Sequence, residues 1–67
     1  MKLTGDEEGL KALKKLFATN KEYVRFILKE AETNVDRTSD FRDENGVKYR
    51  LIYIVEKAEF KVEKAKR

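Results

Sequence analysis

Asp43-Glu44-Asn45-Gly46, followed by Val47-Lys48-Tyr49-Arg50-Leu51-Ile52-Tyr53-Ile54-Val55, is the stretch on which the fold turns. Asn-Gly between apolar runs marks a β-hairpin, because both residues tolerate the left-handed backbone that tight turns demand. Two registers compete. A three-residue loop Glu44-Asn45-Gly46, with Gly46 left-handed, sets Phe41 opposite Tyr49 and gathers Phe41, Tyr49, Leu51, Tyr53 and Val55 on one face. A two-residue loop sets Phe41 opposite Arg50 and wastes the burial of its ring. The first register is therefore expected. It leaves Arg42, Lys48 and Arg50 near the turn on the opposite face, with Ile52 and Ile54 further along and in need of cover.

Downstream of the hairpin, Val47 to Arg67 contains no Gly, Pro, Asn, Asp, Ser or Thr. Any reversal near Glu56-Lys57-Ala58-Glu59 must form without favoured turn chemistry. The last segment fits two periods. Phe60 and Val62 alternate with Lys61 and Glu63 as in a strand, while Val55, Ala58, Val62 and Ala65 form a helical stripe. The strand is preferred because three strands support one another where an isolated hairpin does not, and a helix is the alternative.

Upstream lie two amphipathic helices. The first is expected from about Gly5 to Phe17, since Thr4 and Glu7 keep capping-box spacing and Asp6, Glu7 and Glu8 suit the positive end of the dipole. Leu10, Leu13, Leu16 and Phe17 form its apolar stripe. Gly9 weakens the first turns by roughly 1 kcal/mol relative to alanine, so either the helix starts late or a neighbour approaches closely there. Thr19 and Glu22 repeat the capping box and predict a tight break, followed by a second helix to about Glu32. Tyr23, Val24, Ile27, Leu28 and Ala31 share its buried face, and Phe26 falls off that stripe. Asn34 to Ser39 is polar and connects the helices to the sheet. The expected architecture is α+β, two N-terminal amphipathic helices packed on a small antiparallel sheet in the order ααβββ.

The chain has 67 residues, one small domain over 1–67 with a basic tail at about Lys64 to Arg67. Cysteine and histidine are absent. That removes disulfides, thiolate metal sites and cysteine nucleophiles, together with the commonest general base and metal ligand. An enzyme is not the favoured reading, and no cofactor is expected. Asp36, Asp40, Asp43, Glu44 and Asn45 do not keep calcium-loop spacing, and no glycine-rich loop precedes a helix to cradle phosphate. No apolar run approaches the ~20 residues of a membrane span. The start, Met1 to Asp6, turns acidic before a signal-peptide core develops, so a cytoplasmic location is expected.

Net charge is +3, from 16 basic and 13 acidic residues. Residues 1–36 hold seven of each, so the excess lies wholly in the second half. Arg42, Lys48 and Arg50 on the hairpin, with Lys64, Lys66 and Arg67 behind them, are the candidate binding residues, suited to phosphate or an acidic protein surface. Ile52, Ile54 and Phe26 are the candidates for self-association, and a homodimer is one expected assembly. The register buries Tyr49 and Tyr53, which argues for a solvated charged face rather than a base-stacking one.

The lysine-rich helix Leu10-Lys11-Ala12-Leu13-Lys14-Lys15-Leu16, followed later by Gly46-Val47-Lys48-Tyr49-Arg50-Leu51-Ile52-Tyr53 and a basic end, resembles the core of RelE/ParE-type toxins. The resemblance implies an mRNA-cleaving or gyrase-inhibiting scaffold, with Arg50 matching the strand arginine and Lys66 or Arg67 the basic terminus used on RNA. Three features depart from that pattern: the chain is short for the family, it lacks histidine, and the usual first strand is absent or reduced to Met1-Lys2-Leu3. The leading functional expectation is a small non-enzymatic interaction module of prokaryotic or phage kind, binding a protein or nucleic acid through a basic sheet face or exposed edge strand. A RelE/ParE-like toxin and a homo-oligomeric structural protein are the alternatives.

Overall fold

In the computed structural model, which describes residues 2–65, the hairpin takes the expected register. Strand β2 (Thr38–Arg42) pairs antiparallel with β3 (Lys48–Ile54), and Phe41 lies opposite Tyr49 with ring centroids 5.4 Å apart. Asp43 builds the turn. Its carboxylate accepts from the backbone N–H of Asn45 at 2.9 Å and of Val47 at 2.8 Å. Its carbonyl accepts from the Gly46 N–H at 3.0 Å. Gly46 then reverses the chain at a φ of 80°, a left-handed conformation that costs glycine nothing.

The last segment is the strand β4 (Glu59–Lys64), antiparallel to β3. The reversal before it has the poor turn chemistry that its composition foretells. A single 3-10 turn, Val55–Lys57, ends at Ala58, a non-glycine residue held at a φ of 50°. Val55 therefore leaves the sheet after Ile54. Expected on the covered face, it is exposed, because the 3-10 turn rotates it out of the strand's alternation.

The sheet has a strand more than the expected three and is mixed rather than antiparallel, in the order β1-β4-β3-β2. The addition is β1 (Lys2–Gly5), which runs parallel to β4 with Leu3 beside Phe60. Thr4 accordingly caps no helix. Its hydroxyl donates to the Glu59 carboxylate at 3.1 Å, and the N-cap of α1 (Glu7–Thr19) is Asp6, whose side chain accepts from the Gly9 N–H at 2.8 Å. Two features tie this corner down. The Asp6 N–H donates to Val62 O at 2.8 Å, and Gly5 turns at a φ of 112°, where a Cβ would lie 2.1 Å from that same carbonyl.

The second capping box is displaced by one residue. Thr19 completes α1 and turns its hydroxyl back to the carbonyls of Lys15 and Leu16, so Asn20 caps α2 (Lys21–Thr33) by accepting from the Tyr23 N–H at 3.2 Å. The break is as tight as predicted. No helix among the described residues is long and apolar enough to cross a membrane.

Both helices lie on one face of the sheet. Leu13, Val24, Ile27 and Ala31 meet Phe41, Tyr49, Leu51, Phe60 and Val62 there, each ring or branched chain contributing about 1.5–3 kcal/mol by leaving water. Gly9 allows the approach: a Cβ on it would lie 2.5 Å from the Val62 side chain and 3.0 Å from the Tyr49 ring. The glycine that weakens the helix locally is thus the point of closest contact with the sheet. Phe17, expected in the buried stripe, is 41% exposed instead, with the Lys21 ammonium 5.8 Å from its ring centroid. Ser39, buried in the same layer, donates to the Glu30 carboxylate at 2.8 Å.

Candidate functional site

Strand alternation assigns every described sheet residue to a face. Cross-strand partners share a side, so Thr38, Asp40 and Arg42 of β2 lie with Lys48, Arg50, Ile52 and Ile54 of β3, with Glu59, Lys61 and Glu63 of β4, and with Lys2 and Thr4 of β1. The helices cover the other side. Among the described residues, no secondary-structure element covers this one.

Arg42, Lys48 and Arg50 therefore come together with Ile52 and Ile54, as the hairpin register implies. Ile52 and Ile54 are half-buried by their strand neighbours and stand apart from the hydrophobic core. The other candidates fall elsewhere. Lys64 is the last residue of β4 and shares the helix side with Val62, away from Arg50. Phe26, whose place off the apolar stripe allows either cover for the core's edge or exposure, sits on the outer face of α2, 63% exposed. Lys66 and Arg67 lie outside the described residues.

The charges of the open face are largely matched within it. Asp40 lies 3.7 Å from the Lys48 ammonium and 3.7 Å from the Arg50 guanidinium. Glu63 pairs with Lys61 at 3.3 Å and stands across from Arg50 in the register. Glu59 is buried, accepts from Thr4 and lies 3.9 Å from the Lys2 ammonium. Each exposed pair adds only about 0–1 kcal/mol to stability, but together they cancel much of the positive field. Arg42 is the exception. It stands opposite Lys48, and its guanidinium donates to the Gly46 carbonyl at 3.3 Å.

Glu63 and Glu59 read in the sequence as ordinary surface acids, and Asp40, weighed there as a calcium ligand, gives no sign of its pairing with Lys48 and Arg50. The alternation of β4 contains the signal for Lys61 and Glu63. Lys2 and Thr4 carry none, because a four-residue strand is too short for a period to register.

Tyrosine does not contribute to this face. Tyr49 is enclosed under α1, and burial, then the Asp43, Glu8 and Asp6 carboxylates, push its phenol above the ordinary value of 10.0. Tyr53 faces the same side and packs on Phe60 at 4.9 Å.

A groove of about 460 Å³ opens on the β2 side, between that edge strand and the α1–α2 corner, lined in part by Leu16, Asn20, Tyr23, Phe41 and Arg42. No family model, curated protein or solved structure matches the chain.

Proposed function

We propose that the chain is a small non-enzymatic module that binds another protein through the open sheet face and the β2 edge beside it. One observation carries the choice of protein over nucleic acid: the face holds an apolar pair, Ile52 and Ile54, among cations mostly satisfied by Asp40, Glu63 and Glu59. Phosphate binding draws its affinity from releasing counterions at unmatched cations, and single-stranded binding adds aromatic stacking. This face offers few of the former and no aromatic ring among its described residues. The non-enzymatic part rests on the lack of histidine and cysteine.

The test combines two measurements on the full chain. Fluorescence anisotropy with single-stranded RNA and duplex DNA at low salt should give no binding, and affinity capture should retain protein partners that Ile54→Lys loses and nuclease treatment does not. Tight nucleic-acid binding with a steep salt dependence, flattened by Arg50→Ala with Lys48→Ala, would refute the reading. Sedimentation at high micromolar concentration tells whether a second copy of the chain is such a partner.

A toxin of RelE/ParE kind is the second reading, favoured by one observation. A strand stands at Lys2–Gly5, where the resemblance expects a first strand. Arg50, the arginine that the resemblance singles out, is engaged by Asp40. RNA cleavage or gyrase inhibition by the purified chain, lost in Arg50→Ala, is the outcome that would favour this reading.

A further inference from the structure

We propose that the β2 edge accepts an extended segment of the partner as a fifth strand, with an acidic side chain opposite Arg42 and apolar side chains turned toward the helices. The inference rests on the protein-binding reading above and specifies its mode.

The backbone pattern comes first. Hydrogen bonds from the Tyr53 N–H to Arg37 O at 2.8 Å and from the Asp43 N–H to Val47 O at 3.0 Å bracket the β2–β3 ladder. In an antiparallel pair the odd positions between them face β3, and Thr38, Asp40 and Arg42 turn their N–H and C=O groups outward. The connecting loop satisfies only the first of these. The Asp36 carboxylate accepts from the Thr38 N–H at 3.2 Å, and the Asn34 amide donates to Thr38 O at 2.8 Å. Asp40 and Arg42 keep their outward groups unpaired among the described residues, without the proline or bulge that commonly blunts an edge.

Side-chain chemistry then selects the occupant. A strand laid along β2 alternates between the open face and the helix side. On the helix side it meets the groove where Leu16 and Tyr23 present apolar surface above the buried Phe41. On the open side it meets Arg42, which faces the like charge of Lys48 and has no carboxylate partner among the described residues, since Asp40 is shared between Lys48 and Arg50. A carboxylate opposite Arg42 relieves that repulsion, as cross-strand opposite charges do. Main-chain pairing supplies affinity and the alternating positions supply specificity. The β1 edge lacks this combination: the hollow beside it, lined by Leu3, Leu13, Phe17, Val24 and Leu28, is apolar, with Lys14 at its margin and nothing that selects an occupant.

The probe is a random dodecapeptide display library panned against the immobilised full chain. Enriched sequences should alternate apolar and other residues, with an acid on the second set. A synthetic peptide of the enriched sequence should shift the Asp40 and Arg42 amide resonances and slow their hydrogen exchange. N-methylating its alternate backbone nitrogens should abolish binding to the unmodified chain. Arg42→Glu should weaken binding roughly tenfold or more and reverse the charge preference. No enrichment, enrichment without acids, or equal binding of the N-methylated peptide would overturn the proposal. Shifts confined to Ile52 and Ile54 would overturn the edge assignment and leave the protein-binding module standing, whereas nucleic-acid binding with no peptide enrichment would defeat both.

Discussion

Gly9→Ala sets the local and the tertiary demands on one residue directly against each other. Gly9 lies inside α1, where alanine gains about 1 kcal/mol of helix propensity over glycine. An isolated helix would be stabilised. In the folded chain the new Cβ lies 2.5 Å from a Val62 Cγ and 3.0 Å from a Tyr49 ring carbon, separations that force movement. Neither neighbour yields easily, because both side chains are fully enclosed and Tyr49 stacks on Phe41. Overpacking a core by one methyl costs typically about 1–3 kcal/mol, so after the gain in propensity the balance is a net loss of up to about 2 kcal/mol. In a domain of this size that lowers Tm by roughly 4–8 °C per kcal/mol, readable by circular dichroism. A double-mutant cycle sharpens the test. Val62→Ala removes the nearer contact, so Gly9→Ala should cost less in that background, with a coupling of about 0.5 kcal/mol or more. A Tm raised by Gly9→Ala in the unmodified chain would refute the close approach of α1 to β3 and β4.

Gly46→Ala meets no steric obstacle, with nothing within 4 Å of the added Cβ, so its expected loss of about 1 kcal/mol reports the left-handed backbone alone; an unchanged Tm would refute the hairpin geometry. Ala58→Gly should act in the opposite sense, gaining about 0.5–1 kcal/mol by relieving a positive φ at a residue with a Cβ, and chemical denaturation would measure it. For Tyr49 the folded phenol titrates above 10.0 while the unfolded one ionises near it, so the folded state binds the proton more tightly. Stability should be fully present below pH 10.0 and decline as pH rises from there through the raised folded value, and Tyr49→Phe should abolish that part of the decline. Denaturation midpoints that fall equally in both proteins across that range would refute it.

The hairpin was legible in the sequence because its determinants are local. Asn45-Gly46 supplies the turn, and the alternation of Phe41 with Tyr49 and Leu51 permits only one register that buries all three rings and chains. The helices were legible from their apolar stripes, and their ends only to within a residue or two. Thr4 and Thr19 look like caps in sequence, but pairing with β4 claims Thr4 for a strand, and α1, running on past Phe17, claims Thr19. The basic residues of the candidate face were also legible. Their neutralisation was not, since Asp40 and Glu63 meet Arg50 from strands on either side of it.

The α+β class, the hairpin register and the side of the sheet on which Arg42, Lys48, Arg50, Ile52 and Ile54 stand follow from local pattern, because period and turn chemistry act between near neighbours. Long-range packing makes Lys2–Gly5 a strand and Gly9 a packing contact, and leaves the outward groups of Asp40 and Arg42 on an edge unpaired among the described residues. The parallel pairing of β1 with β4 joins residues more than fifty positions apart, and four residues carry too little pattern to announce it. The closure of that long loop is offset by the burial of Leu3 against Phe60 and by α1 seated on Val62, a free energy that resides in the assembled core and in no segment of the chain alone.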